Sequence, residues 1–193
     1  VITIEDTREW YYSKLKPEAD GIELITSEKK DYTQLIKTSV RLNPGRIMLA
    51  ETRSVEAAEL LEAWSTGMKG ITTLHTDDLR NVPDRFLNMM NCVGSKSHEN
   101  NIYDYLDAAV LIKAAKNADG TYTRYIDQIA YYERDRDEKK ITFIVEDGQR
   151  TDEEIPDYIR KKFSDELISN PYVLDNDLKE KVKFYEGKKE KKE

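Results

Sequence analysis

At 193 residues the chain is long enough for one domain with an appendage and too short for a multidomain machine. Charged residues make up 36% and hydrophobic ones 38%, with 12 Tyr, 4 Phe and 2 Trp, so a core can form beneath a densely charged surface and disorder of the whole is excluded. The single cysteine, Cys92, excludes an intramolecular disulfide and a four-thiolate zinc site and fits a reducing compartment; a net charge of −7 disfavours non-specific nucleic-acid binding.

No apolar run approaches the about 20 residues that span a bilayer, and Val1–Asp6 lacks the basic start of a signal peptide. An apolar run without an initiator Met suggests that the natural sequence continues upstream. Val1 to Glu5 reads as a buried strand closed by the acidic pair Glu5-Asp6, and Ile22 to Thr26 as a second, with a loop or short helical turn over Trp10 to Asp20. Asp31 with Gln34 forms a capping-box-like start; Leu35, Ile36 and Val40 continue a helical stripe that Asn43-Pro44-Gly45 ends. Arg46 to Glu51 is the third strand. Ser54 is placed to cap the next helix, Glu56 suits its positive end, Ala57, Leu60, Leu61 and Trp64 recur at helical spacing, and Gly67 stops it.

Gly70 to His75 reads as the fourth strand, and Val82 to Cys92 and Asn100 to Leu106 as helices. Ala108 to Lys113 and Thr121 to Tyr132 flank Asp119-Gly120, a two-residue hairpin signal, and Lys140 to Glu146 can add a further strand. From Gln149 the composition becomes charge-rich, with helices around Ile155 to Ile168 and Asp175 to Tyr185 and a frayed tail from Gly187 to Glu193. The expected organisation is an α/β domain over 1–148, a mostly parallel sheet with an antiparallel hairpin extension, followed by a helical extension over 149–193.

In a parallel sheet, functional side chains gather beyond the carboxyl ends of the strands. Three predicted strands end there in polar groups: Glu5 and Asp6, then Glu51 and Arg53, then Thr73, His75 and Thr76. A carboxylate at the tip of an apolar strand can orient or deprotonate a water, directly or through Mg²⁺, and a neighbouring His or Arg can sense γ-phosphate charge. Each has a plainer reading: strand-ending carboxylates cap turns, and a single His packs in a core. His98 reads as a surface residue, and Met68, Met89 and Met90 as packing.

The ordered set resembles the secretion, conjugation and type IV pilus traffic ATPases. Val1–Asp6 (VITIED) resembles their aspartate box, Leu42–Arg53 (LNPGRIMLAETR) their Walker B segment, Glu56-Ala57 and Ala63–Gly70 the helix and turn that follow, and Ile71–Thr76 (ITTLHT) their histidine box. The resemblance covers roughly residues 1 to 112 and implies a RecA-like P-loop NTPase fold. It implies Glu51 as the Walker B glutamate, Glu5 as the aspartate-box carboxylate with Asp6 beside it, and His75 near the γ-phosphate. Glu51 and Glu5 would support Mg²⁺; Asp6, Thr73 and Thr76 would touch ATP; Arg53 fits the glutamate-x-arginine pattern, and Arg41 and Arg46 are weaker interface candidates. Met68 stands where relatives often have His, and Cys92 alone matches members with a tetracysteine site poorly; the conjugation and tight-adherence branch is closer.

No glycine begins a G-x-x-x-x-G-K-[ST] phosphate loop, so a truncated ATPase is expected, inactive alone. The resemblance further implies a cytoplasmic hexamer, peripheral to the cell membrane, working with the proteins of a membrane secretion platform and without direct nucleic-acid contact. Two other readings stand beside it: a non-catalytic adaptor using 149–193 as an interaction arm, and a nucleic-acid-dependent RecA-type motor, which the net charge disfavours.

Overall fold

A computed structural model of the protein describes residues 1–165. Val1–Glu153 form one compact unit and a second begins at Glu154. The predicted helix over Asp175 to Tyr185, the tail from Gly187 and the end of the Ile155 to Ile168 segment lie outside the described residues.

Strands β1 (Ile2–Glu5), β2 (Ile22–Ile25), β3 (Arg46–Leu49) and β4 (Lys69–Thr72) form a parallel sheet in the order β2-β1-β3-β4. Side chains alternate between the two faces of a strand, so Ile2 and Ile4 point into one core while Thr3 and Glu5 lie on the opposite face. Helices α2 (Tyr32–Arg41) and α3 (Glu56–Ser65) cover the first face, burying Ile36 and Leu60 against Ile4, Ile47 and Leu49. Each such side chain contributes about 1.5–3 kcal/mol by leaving water. The predicted start of α2 is present: the Gln34 N–H donates to the Asp31 carboxylate at 2.8 Å. Its end falls where Asn43 takes φ 48° before Pro44. The loop after β1 contains one helical turn, α1 (Tyr12–Leu15).

The later strands do not extend the parallel sheet. Strands β5 (Ala108–Lys116), β6 (Tyr122–Asp135), β7 (Glu138–Glu146) and β8 (Gln149–Arg150) form a separate antiparallel sheet in chain order. Its inner face shares a second core with α3, α4 (Val82–Met89) and α5 (Lys96–Tyr105), built around Phe86, Ile102, Leu111 and Tyr132. Trp64 packs against both cores.

The hairpins differ from expectation. Asp119-Gly120 lies in a longer connection, in which the Gly120 N–H donates to the Asn117 carbonyl. The two-residue turns are Arg136-Asp137, between the paired Asp135 and Glu138, and Asp147-Gly148, between Glu146 and Gln149. Arg136 (φ 55°), Asp147 (φ 51°) and Gly148 (φ 72°) supply the positive φ values that tight hairpin turns use. Helix α5 begins at Lys96, four residues before its predicted start, so His98 is helical; the Ser95 hydroxyl lies 2.8 Å from its Nδ1. In the second unit, α6 spans Asp157–Asp165.

Candidate functional site

The register Ile4↔Leu49↔Thr72 brings the carboxyl ends of β1, β3 and β4 to one rim. Backbone pairing continues past the strands: the Ala50 N–H donates to the Ile4 carbonyl at 2.9 Å and the Thr52 N–H to the Thr73 carbonyl at 2.8 Å. Side chains reinforce it. The Thr73 hydroxyl donates to the Ala50 carbonyl at 2.6 Å, and the hydroxyls of buried Thr52 and Thr72 lie 2.8 Å apart. Glu51 and His75 are thereby held on adjacent, cross-linked tips.

Four predicted side chains join into one chain of polar contacts. Arg53 sits between Glu51 and Asp6, with its Nη2 2.6 Å from Glu51 Oε2 and its Nη1 3.0 Å from Asp6 Oδ2. The other Glu51 oxygen, Oε1, lies 3.3 Å from His75 Nε2. Exposure falls unevenly along the chain: the Glu51 side chain is 19% exposed, Arg53 54% and His75 89%. The carboxylate is thus sheltered while the imidazole stands in solvent. Hydrogen bonding to Glu51 and the charges of Glu51 and Asp6 raise the Arg53 guanidinium further above its ordinary value, so it stays charged at any working pH. Burial pushes the Asp6 carboxyl up, but the Thr7 N–H and Arg53 outweigh it and hold the group below its ordinary value.

Glu5 is arranged differently and takes no part in this chain of contacts. It is fully buried. Its Oε1 accepts the N–H groups of Glu9 (3.0 Å) and Trp10 (2.9 Å), which clasps the loop after β1 over it, and its Oε2 is buried without a partner. The two threonines predicted to touch nucleotide have their hydroxyls engaged by backbone: Thr73 on Ala50, and Thr76 on the Asp78 carbonyl at 2.8 Å. Arg41, at the end of α2, and Arg46, opening β3, are exposed.

Beyond His75 the chain enters a 3-10 turn, Leu79–Asn81, fixed to the antiparallel sheet. The Leu79 N–H donates to Gln128 Oε1 at 2.9 Å, the Tyr132 hydroxyl donates to the Leu79 carbonyl at 2.7 Å, and Arg80 pairs with Asp78 and Glu146 while lying 4.3 Å from the centre of the Phe143 ring. An open cleft of about 420 Å³ lies along this segment, lined by His75, Thr76, Asp77, Asn81, Asp84 and Arg85.

Two residues at the site do more than the sequence indicated. The N-cap position of α3 falls on Val55, and the expected cap by Ser54 is replaced by a bond in the other direction: buried Glu56 reaches back from the first turn to accept the N–H groups of Arg53 (2.6 Å) and Ser54 (2.9 Å). Tyr32, the first residue of α2, carries a buried hydroxyl without a partner; burial and the charge of Asp6 push it up to about 12. The sequence placed Glu56 at the positive end of this helix without a bonding role, and nothing marked Tyr32.

Among the described residues no group of three or more His, Cys, Asp and Glu is placed to hold a metal ion. Arg53 and His75 each meet one Glu51 oxygen, and one Glu5 oxygen is unpartnered. Carboxylate oxygens are the donors Mg²⁺ takes, one or two to an ion, with water and phosphate filling its remaining positions. No helix among these residues is long and apolar enough to cross a membrane.

The fold and rim define a mixed α/β domain whose parallel strands present a linked carboxylate, guanidinium and imidazole. The profile of the family described as Type II/IV secretion system protein matches residues 1–116, and the chain belongs to that family. A protein of Bacillus anthracis is 32% identical over 142 residues, 68% of this chain and 32% of the relative. The conjugal transfer protein TrbB of Rhizobium radiobacter is 36% identical over 78 residues, 40% of this chain and 23% of the relative. Among solved structures, the VirB11 ATPase of the Brucella suis type IV secretion system, in complex with sulphate, superposes with a TM-score of 0.58 at 25% identity, covering 67% of this chain and 39% of that one. The chain therefore spans about a third or less of the curated relatives it matches.

Proposed function

We propose that the chain is the C-terminal part of the RecA-like ATPase domain of a hexameric traffic ATPase, whose parent protein couples ATP hydrolysis to secretion, pilus assembly or DNA transfer. The observation that carries this reading is the continuous link Asp6–Arg53–Glu51–His75 across three strand tips. Family membership and the likeness to TrbB and to the VirB11 ATPase support it.

In this reading Glu51 orients and deprotonates the attacking water. Its shelter limits its contact with solvent, and its position between Arg53 and His75 fixes the direction of its oxygens. His75, exposed at the rim, meets the γ-phosphate, and Arg53 compensates charge as it develops. Thr73, Thr76 and Asp6 border the nucleotide. Glu5 contributes its unpartnered oxygen, and with Glu51 would hold Mg²⁺. ATP and Mg²⁺ supply the phosphoanhydride and the neutralisation of its oxygens. Loss of the γ-phosphate would remove contacts to His75, so the closed arrangement would lose its differential stabilisation, which is how hydrolysis would move subunits at a cytoplasmic, membrane-peripheral platform of partner proteins.

No G-x-x-x-x-G-K-[ST] segment occurs in these 193 residues, so negligible turnover is expected from this polypeptide alone. A coupled ATPase assay tests both statements: the parent protein should hydrolyse ATP and Glu51→Gln should abolish this. Robust, Glu51-dependent hydrolysis by the 193 residues alone would overturn the truncation reading, and an inert parent would overturn the motor reading.

A further inference from the structure

We infer that Glu56 is a positioning residue for Glu51 and Arg53, acting through the backbone of the turn that carries them. The inference rests on the hydrolytic reading above. Residues Glu51 to Val55 connect the tip of β3 to α3, and a connection of this length has no fixed course unless both ends are tied. From the sheet side, Thr52 ties it: its N–H donates to the Thr73 carbonyl at 2.8 Å, and its hydroxyl meets that of Thr72 at 2.8 Å. From the helix side, one Glu56 oxygen accepts two successive N–H groups, those of Arg53 at 2.6 Å and Ser54 at 2.9 Å. Glu51 and Arg53 flank Thr52, so both project from a segment anchored on opposite sides.

The clasp is well placed to be strong. Glu56 is only 6% exposed, and charge-assisted hydrogen bonds to backbone N–H are about twice as strong as neutral ones. Its negative charge also sits at the positive end of α3. The arm length matters because the carboxylate must reach backwards from the first helical turn. Asp, one methylene shorter, does not reach; Gln keeps a carbonyl acceptor on an arm of the same length. Releasing the Arg53 N–H would let the guanidinium leave the position in which it meets both Glu51 and Asp6.

A helix-capping role alone and a positioning role differ in what they move. The test measures steady-state ATPase kinetics of the parent protein carrying Glu56→Ala, Glu56→Asp or Glu56→Gln, and backbone amide spectra of the same variants in the 193-residue chain. The expected result is a fall in kcat of about ten-fold or more for Ala and Asp with KM for ATP within about two-fold, recovery by Gln to within about three-fold, and upfield movement of the Arg53 and Ser54 amide protons in Ala and Asp but not in Gln. A Gln variant as impaired as Ala, a loss confined to KM, or amide resonances of Arg53 and Ser54 unmoved by Ala would each overturn the inference. A wild-type parent without ATPase activity sinks the hydrolytic reading instead, and the amide spectra still decide whether Glu56 sets the turn. Should Glu56→Ala fail to fold, the Asp and Gln pair carries the comparison.

Discussion

Glu51 Oε1 meets His75 Nε2 at 3.3 Å across the tips of two adjacent strands, while Arg53 holds the second oxygen of the same carboxylate at 2.6 Å. A carboxylate met at both oxygens is fixed in direction, which is what a group that aligns a water requires. Glu51→Gln keeps the shape and removes the charge. In the parent protein it is expected to lower ATP turnover by about a hundred-fold or more, with nucleotide affinity changed only a few-fold. Because the pair is partly exposed, with Arg53 54% in solvent, the melting temperature of the 193-residue chain should move by no more than about 4 °C. A large loss of stability with unchanged turnover would show that the residue is structural.

The Asp6 carboxyl provides a pH-dependent readout of the same network. Although burial pushes it up, the Thr7 N–H and the Arg53 charge leave it below 3.8. A carboxylate whose pKa is depressed on folding contributes stability that is present above the unfolded value and is lost as pH falls through the folded value. The Asp6–Arg53 link should therefore persist at pH 3.8 and disappear only at more acid pH. In Arg53→Ala the titration midpoint of Asp6, followed by its carboxyl carbon resonance, should rise toward the ordinary value. An unchanged midpoint would mean that backbone N–H groups, that of Thr7 first, set it.

Tyr32 offers the opposite sign. Its hydroxyl is buried and unpartnered, and it is pushed up to about 12 by burial and by Asp6. A tyrosine raised in the folded state loses its contribution as pH rises from the unfolded value of 10.0 through the folded one. Tyr32→Phe removes an unsatisfied polar atom, so it should be neutral or stabilising by up to about 1 kcal/mol at pH 7. The advantage should widen above pH 10, as read by urea unfolding at both values. Destabilisation beyond about 1 kcal/mol at neutral pH would show that the contact of the hydroxyl with Asp6 outweighs the cost of its burial.

What the sequence could tell about this molecule depended on the range of the interaction. The rim was legible because strand periodicity places Glu5, Glu51 and His75 at or near strand ends, although β3 stops at Leu49 and β4 at Thr72, short of the predicted Glu51 and His75, and parallel pairing brings those ends together. Periodicity fixed the face that Ile4 and Leu60 share for the same reason. It could not show that Glu5 turns into a buried clasp on the Glu9 and Trp10 amides while Asp6 joins Arg53, since which of two neighbouring carboxylates faces inward depends on the course of the loop. Capping statistics favoured Ser54, yet a glutamate inside the first turn satisfied two N–H groups with one oxygen, a long-arm solution invisible to residue preference. Likewise Arg136 adopts a left-handed turn without Gly or Asn, because the pairing of Asp135 with Glu138 imposes it from both sides.

Gly70 tests whether strand spacing beneath the site matters. It lies in β4 opposite Ile47 of β3, and a Cβ there would stand 2.3 Å from Trp64 Nε1 and 2.6 Å from the Ile47 carbonyl oxygen. The indole belongs to a side chain that packs against both cores, and the carbonyl belongs to backbone, so neither neighbour can yield cheaply. Gly70→Ala should therefore cost about 2 kcal/mol or more, by overpacking, and should push β4 away from β3. Because Thr73 and His75 follow directly from β4, the displacement should lengthen the Thr52–Thr73 pairing and loosen His75 from Glu51. Gly45 is the matched comparison: a Cβ there meets no atom within 4 Å and its φ lies outside the left-handed region, so Gly45→Ala should be neutral or stabilising by about 0.4–1 kcal/mol. Urea midpoints for the two variants decide the matter. Equal midpoints would show that Trp64 and the strand pair can relax around an added methyl, and that the spacing of β3 and β4 does not set the geometry at their tips.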